Sequence, residues 1–477
     1  MTATPGAAVT TGPSPLLRPL RWWAVALPGS LGGATLISWG CFGAGVTAQR
    51  LWFFAFALVG LAGFAAALRA IDRGAAREPA PASWRGLLLL ALACQAAVLL
   101  ARPLTSNDAL ANLSYGRILE RGGDPFLTTP RQFFDHPLNP GRDGGFAKLI
   151  DAQWRDTPCA YGPVVALLDA AAVRIGGSPG GALITFKLLT ALAALGGLVI
   201  AFALARQSGR PAAFALLGLN PLYAWELTGQ AHNDAFVVPL VALFVWAVRR
   251  PHVAAAAAAA GLSFLVKPVL LPVYALWVAA LAVGPKRAPR ALALAVALPA
   301  LLLLAGWLPF WTGPATLAMA GKSLVGGHVE AANSLGEALC HLAAAVAPAW
   351  APLTLGLVRV LGLAVAAAAG LLAVRKVARG ADVIDQGLPV MLLLMGVVAW
   401  FQPWYVTWAL PLAVATQTRA LAWLTGAYAA TFMLGYVSNQ YGSSWFIHLG
   451  MLVALLRWHR WRVGRTSDDG RADAPAA

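Results

Sequence analysis

From about Trp22 to about Leu456 the chain alternates long apolar runs with short polar turns, and most runs reach the roughly 17–25 residues that cross a hydrocarbon layer. Inside lipid a backbone has no water to bond, so each run is expected to be a helix. Spans are expected near 22–47, 51–70, 86–102, 180–204, 211–225, 235–249, 252–268, 270–284, 290–311, 351–375, 384–401, 404–418, 420–437 and 441–457. Several fall short of a full crossing and meet at proline-containing corners such as Val266-Lys267-Pro268. The expected fold is all-α: a polytopic transmembrane helix bundle over 22–457, with large outer loops near 103–179 and 312–350 that carry short amphipathic helices. A Thr/Pro/Ala-rich segment, 1–21, is expected to be a disordered cytoplasmic N-terminus. The C-terminal 458–477 reads as basic and then disordered, also cytoplasmic. The first apolar run lacks a cleavage signature and is expected to be a retained helix. No internal repeat is visible, which weighs against a transporter built from inverted halves.

Composition sharpens this picture. Of 477 residues 59% are hydrophobic and 11% charged, against about a quarter charged in soluble domains. The net charge of +16 is not a nucleic-acid footprint, because no such motif accompanies it. Its basic residues cluster in short turns: Arg69/Arg73/Arg77/Arg85, Arg206/Arg210, Arg249/Arg250, Lys286/Arg287/Arg290, Arg375/Lys376/Arg379 and Arg457/Arg460/Arg462/Arg465. By the positive-inside rule these turns are cytoplasmic. The stretch 162–176 is apolar enough to be a further span, but counting it would put the later basic turns outside. It is therefore expected to lie at the outer surface as an amphipathic helix. Cys41 and Cys94 read as small core residues, whereas Cys159 and Cys340 fall outside and have the option of pairing.

Acidic residues gather in the two outer loops: Asp108, Glu120, Asp124, Asp135, Asp143, Asp151, Asp156 and Asp169 in the first, Glu330 and Glu337 beside Lys322 and His328 in the second. Long loops between spans are usually functional. Ser106-Asn107-Asp108 opens a short helix ended by Gly122-Gly123. Asp108 there is either a helix cap or a general base for a hydroxyl, with Arg117 about two and a half turns further along. Glu226, His232 and Asp234 lie close together between two consecutive runs, as either a solvated turn or a functional cluster. Lys267 at a broken helix either snorkels to water or stabilises charge on a phosphate. Gln402-Pro403-Trp404-Tyr405-Val406-Thr407-Trp408 marks another outer corner, where aromatics sit at the interface or stack on a sugar or an isoprenoid. Gly321-Lys322-Ser323 lacks the upstream glycine of a P-loop, Thr316 standing there. There is no His-Glu-x-x-His zinc motif and no cysteine-rich metal cluster, and no cofactor or metal is expected.

Together these pieces resemble the GT-C superfamily of membrane glycosyltransferases that use polyprenyl-phosphate sugars. They are most similar to the polyprenol-phosphate-mannose-dependent α-1,6-mannosyltransferases of actinobacteria, with glycosyltransferase family 87 as a neighbour. The resemblance rests on Ser106-Asn107-Asp108, Tyr115-Gly116-Arg117-Ile118, Gly123-Asp124-Pro125-Phe126, Ala160-Tyr161-Gly162-Pro163, Asn220-Pro221-Leu222, His232-Asn233-Asp234 and Gln402-Pro403-Trp404-Tyr405, in that order. It implies a GT-C-like bundle in the plasma membrane, with both termini cytoplasmic and the active site on the outer face. It implies an inverting transfer of a sugar, mannose by resemblance alone, to a glycan or glycolipid hydroxyl. Asp108 falls where such enzymes carry their base, which tips it from cap to catalyst. Arg117, Lys267 and His232 become candidates for the donor phosphate. Tyr115, Tyr161, Glu226, Asn233, Asp234, Gln402, Trp404 and Tyr405 become candidates for substrate binding. The chain departs from the pattern in having Asn107 where a second acidic or arginine residue often stands, and in placing the catalytic loop after the third span. A transporter or lipid flippase, a related enzyme with another sugar and acceptor, and a glycan polymerase or ligase using a lipid-diphosphate donor are the rival readings.

Overall fold

The structure, a computed structural model, describes residues 17–41, 46–75, 81–137, 143–285, 287–316, 318, 332–398, 400–438 and 445–472. The segments 1–16 and 473–477, Gly321-Lys322-Ser323, His328 and Glu330 lie outside the described residues. Among the described residues the fold is helical, with one isolated parallel bridge between Ala332 and Trp400.

Helices α1 (Leu17–Ser38), α2 (Val46–Ala75) and α3 (Pro81–Val98) pack together at the start of the chain. The first outer segment follows with α4 (Asp108–Glu120) and, after short turns, α5 (Pro163–Gly176). Next come α6 (Pro179–Gln207), α7 (Pro211–Gly218), an interrupted stretch over 221–236, and α8 (Val237–Arg249). The chain continues through α9 (Val253–Val266), α10 (Leu271–Val283), α11 (Pro289–Trp307), α12 (Leu335–Val346), α13 (Ala351–Ala378), α14 (Val383–Val397), α15 (Leu410–Ala415), α16 (Arg419–Ser438) and α17 (Trp445–Ala472).

Among the described residues four helices are long and apolar enough to cross a membrane: Thr47–Arg73, Pro179–Gln207, Pro289–Phe310 and Pro348–Ala378. A fifth candidate is the pair Pro221–Gly229 and Asn233–Arg249, bent by 106°. Shorter apolar helices include Trp84–Val98, Val253–Val266, Pro268–Val283, Leu335–Val346 and Val383–Val397. The sequence expectation of about fourteen runs is thus distributed over a few full-length helices and several shorter ones. Prolines cause much of the shortening. Pro403 and Pro411 divide the 404–418 run into a 3-10 turn, Pro403–Ala409, and α15. The first run ends early because Gly40 adopts a φ of 78°, the left-handed stop that glycine permits. At the other end α17 runs on to Ala472, so the basic tail expected from 458 begins as helix.

The apolar windows of Pro289–Phe310 and Pro348–Ala378 are 11% buried, against 39% and 44% for Thr47–Arg73 and Pro179–Gln207. The first two therefore sit at the rim of the bundle, where hydrocarbon would cover their leucines. The buried core runs through α6 to α8 and α14 to α16, with Phe214, Tyr223, Trp225 and Phe244 fully enclosed. The cysteines correct one expectation: Cys41 is exposed and not a core residue, while Cys94 is buried as expected. All four are free, so the option of a Cys159–Cys340 bond is not taken.

Helix α5 occupies the stretch whose role parity decided. It is fourteen residues long, about 21 Å, and packs against α4, α6 and α9. It crosses α4 at Gly116, where an added Cβ would lie 2.5 Å from the Asp169 backbone carbonyl. Gly116→Ala would gain about 0.8–1.0 kcal/mol of helix propensity, against about 1–3 kcal/mol of overpacking. The clash is with backbone and should win. Gly116→Ala is expected to lower the thermal unfolding midpoint by several degrees, whereas Gly29→Ala, with nothing within 4 Å, should leave it unchanged or raise it.

Candidate active site

The site is built on the interruption after α7. Asn220 caps the next turn, its Oδ1 accepting from the Leu222 N–H at 3.2 Å and its amide donating to Leu216 O and Gly426 O. Pro221 occupies the first helical position, where its missing N–H is harmless. The backbone then widens into a π-helix, Ala224–Gly229, and turns sharply at Ala231, whose φ is 57°. Such π segments recur at functional sites.

Every break inside lipid leaves backbone groups to be satisfied. Here a lysine from a neighbouring helix meets two of them, and side-chain amides tie the bend to its surroundings. Lys187 of α6 donates its ammonium to Thr228 O at 3.1 Å and to Gly229 O. Thr228 donates to Gln95 of α3 at 2.6 Å. Gln230 Oε1 accepts from the N–H groups of Leu104 and Thr105, at 2.6 and 3.0 Å, which fastens the first outer segment to the bend.

Three carboxylates meet at this bend. Glu226 and Asp234 are fully buried, whereas the Asp108 side chain is 28% exposed. Asn107, not Asp108, is the N-cap residue of α4, and its amide donates instead to both oxygens of Asp151 at 3.3 Å. The Asp108 backbone N–H donates to Ser106 Oγ. His232 stands between two acids: Nδ1 lies 3.7 Å from Asp108 Oδ2 and Nε2 lies 2.9 Å from Glu226 Oε2. Both spacings are within ion-pair range, without the alignment of a hydrogen bond. The imidazole stacks on Trp404, ring centres 3.7 Å apart and 21° between planes. The Tyr436 hydroxyl donates to Glu226 Oε1.

Asp234 has its own partners. Lys267 Nζ sits 2.6 Å from its Oδ2 and Trp408 Nε1 donates to its Oδ1 at 2.7 Å. The ammonium also lies 4.8 Å from the Tyr161 ring, 5.8 Å from Tyr405 and 6.0 Å from Trp408, in cation–π range. Tyr405 and Trp408 stack on one another at 4.3 Å, because residues three apart eclipse in the 3-10 turn that carries them. Tyr161 reaches the group through Gly162, whose N–H donates to Val266 O; a Cβ there would lie 2.1 Å from Leu265 O. Burial first, then Asp108, Tyr405 and Asp234, pushes the Tyr161 phenol well above its ordinary range. Those groups share one electrostatic neighbourhood.

The structure therefore brings Asp108, Glu226, His232, Asp234, Lys267, Tyr161, Trp404 and Tyr405 together. It does not bring Arg117 with them. Nine residues at 100° each turn Arg117 to the opposite face of α4, where it binds Asp143 and, at 2.7 Å, Glu120. Burial works against the Asp143 charge, but hydrogen bonds from Arg117 and Arg121 outweigh it and hold that carboxyl below its ordinary value. Lys267 is present but already neutralised by Asp234. Tyr115 donates to Thr157 O at 2.9 Å and tethers the loop. Asn233 donates to Asn112 at 3.5 Å. Gln402 accepts from Asn333 at 3.2 Å, and His448 of α17 contacts Asn333 O at 2.7 Å, so the end of the second outer loop is pinned beside the aromatic turn. Tyr436 and Lys187 carry no sequence signal, being single residues inside apolar runs, whereas Trp408 belongs to the aromatic corner that the sequence marks. Among the described residues no group of three or more His, Cys, Asp or Glu is arranged to hold a metal ion.

A family model described as the alpha-(1->6)-mannopyranosyltransferase N-terminal domain matches residues 24–284. The chain belongs to that mannosyltransferase family. It is a membrane α-mannosyltransferase. No curated protein matches it. The matched region of this mannosyltransferase contains Asp108, Glu226, His232, Asp234 and Lys267; Trp404, Trp408 and Tyr436 come from beyond it. Both parts of the chain therefore complete one site.

One buried acid stands apart from the cluster. Asp169 of α5 is fully buried, and neither carboxyl oxygen has a hydrogen-bond partner. Burial pushes it well above the ordinary carboxylate range. The unfolded chain then ionises at a lower pH than the folded one, so stability falls as pH rises through the ordinary value. Asp169→Asn should raise the unfolding midpoint at pH 7, by about 2–4 °C per kcal/mol recovered, and the gain should vanish near pH 4, as a paired thermal-shift series would show.

Proposed function

We propose that this mannosyltransferase takes its sugar from a polyprenyl-phosphate carrier and passes it, with inversion, to a glycan or glycolipid hydroxyl at the outer face of the plasma membrane. The observation that carries this reading is the unequal state of the three acids. Glu226 and Asp234 are sealed and internally compensated, while Asp108 keeps an open face beside them. Only Asp108 is free to meet an acceptor.

In the reaction the acceptor oxygen forms a bond to the anomeric carbon as its O–H proton passes to Asp108. The bond from that carbon to the phosphate oxygen breaks, and the lipid phosphate leaves with the electron pair. A β-linked donor then yields an α-linked product. Phosphate is a good leaving group and needs cationic stabilisation more than a strong acid. Lys267 supplies it by sharing its ammonium between Asp234 and the phosphate. Trp404, Tyr405 and Tyr161 offer ring faces to the pyranose, and the isoprenoid tail lies between helices.

Orientation follows from charge. The Asp108 cluster sits at the N-terminal end of α8, and the opposite end carries Arg249, paired with Asp382 at 2.5 Å and bonded to Ala415 O. Arg210 and Thr416 meet at that same end of the bundle. Placing the basic end in the cytoplasm puts the acids outside, with both termini cytoplasmic.

The test compares wild type and Asp108→Asn in lipid nanodiscs, with labelled polyprenyl-phosphate mannose and an oligomannoside acceptor. Loss of a general base typically removes about 10²–10⁴ of the rate, and that loss is expected while folding is retained. Equal transfer by both proteins would return Asp108 to a structural role. Transfer only from a lipid diphosphate or a nucleotide sugar would overturn the donor class.

A further inference from the structure

We infer that Glu226 and His232 form a positioning pair for Asp108, with His232 serving the base and not the donor phosphate. The inference rests on reading Asp108 as the base. His232 is 1% exposed and its two nitrogens face two different carboxylates. Both nitrogens lie at ion-pair spacing from a carboxylate, and the imidazolium is the form that turns an N–H toward each. The Trp404 face, parallel to the ring at 3.7 Å, favours the same cation.

Glu226 makes that arrangement durable. It is completely enclosed, its Oε1 is taken by the Tyr436 hydroxyl and its Oε2 faces the ring. A buried ion pair is a weak source of stability, since desolvating two charges offsets their attraction. The pair does, however, hold the ring 3.7 Å from Asp108, where an imidazolium keeps that carboxylate aimed while the acceptor hydroxyl arrives. The other groups facing this centre are Asp234 and Lys267, which neutralise each other, and the phenols of Tyr161, Tyr405 and Tyr436. With His232 held between its two carboxylates, the phosphate falls to Lys267, whose ammonium is shared with Asp234.

Geometry sets the consequences. Glu226→Gln keeps the side-chain volume and an oxygen for Tyr436, but removes the counter-charge of His232. Asp108 then loses its cationic neighbour. Loss of alignment should lower kcat by about 10–100-fold, with the donor KM within about twofold of wild type. Tyr436→Phe leaves both charges and should shift kcat in the same direction by a smaller factor.

The experiment measures kcat and donor KM for wild type, Glu226→Gln and Tyr436→Phe, with thermal unfolding as the folding check and Tyr436→Phe carrying the test if Glu226→Gln does not fold. A lowered kcat with an unchanged donor KM supports the inference. A raised donor KM with unchanged kcat would overturn it and place His232 on the phosphate. Unchanged kinetics in both variants would overturn it as well, leaving Asp108 as base untouched. Absence of transfer by wild type from any lipid-phosphate mannose would instead bring down the proposed function, and this inference with it.

Discussion

A helix that stops inside lipid must find partners for the backbone groups it exposes, and everything distinctive here depends on how the interruption at 221–236 meets that requirement. Lys187 satisfies two of the carbonyls, Gln95 accepts the Thr228 hydroxyl, and Gln230 accepts from the Leu104 N–H and pins the outer segment. With them in place the chain can bend by 106° and hold Glu226, His232 and Asp234 at one corner. An uninterrupted helix would spread those residues around its circumference. The break converts nearness in sequence into a constellation facing α4.

Charge balance is the second constraint. Ionic groups in a low-dielectric setting interact strongly, so the buried acids of the bend and of the Arg117 network have dedicated partners, whereas Asp169 stands without one. Asp234 has Lys267 and an indole, Glu226 has a phenol and an imidazole, and Asp143 has two guanidinium groups in the outer segment. Asp108 alone among the bend's three carboxylates has a face left open. That asymmetry separates a reactive group from scaffolding, and it comes from burial more than from residue type.

The hydrophobic pattern made the all-helical membrane class legible, and it located elements such as Pro179–Gln207 and Val383–Val397 closely, because uninterrupted apolar runs have one solution in lipid. Runs divided by proline, such as 404–418, read as continuous because hydropathy does not register a missing N–H. Asp108, Glu226, His232, Asp234 and Lys267 were legible as rare titratable residues at the ends of apolar runs. Their pairing was not. Lys267 and Asp234 are 33 residues apart, Glu226 and Tyr436 are 210 apart, and nothing local marks either contact. Arg117 shows the reverse: it is near Asp108 in sequence, yet helical rotation turns it to the Asp143 network.

The most direct test is a cryo-EM structure of Asp108→Asn with polyprenyl-phosphate mannose bound in a nanodisc. The account predicts the pyranose against Trp404 and Tyr405, the phosphate at Lys267, and the anomeric carbon facing residue 108 with room for an acceptor oxygen between them. A donor phosphate bound at His232, or a sugar seated away from the 221–236 bend, would contradict it.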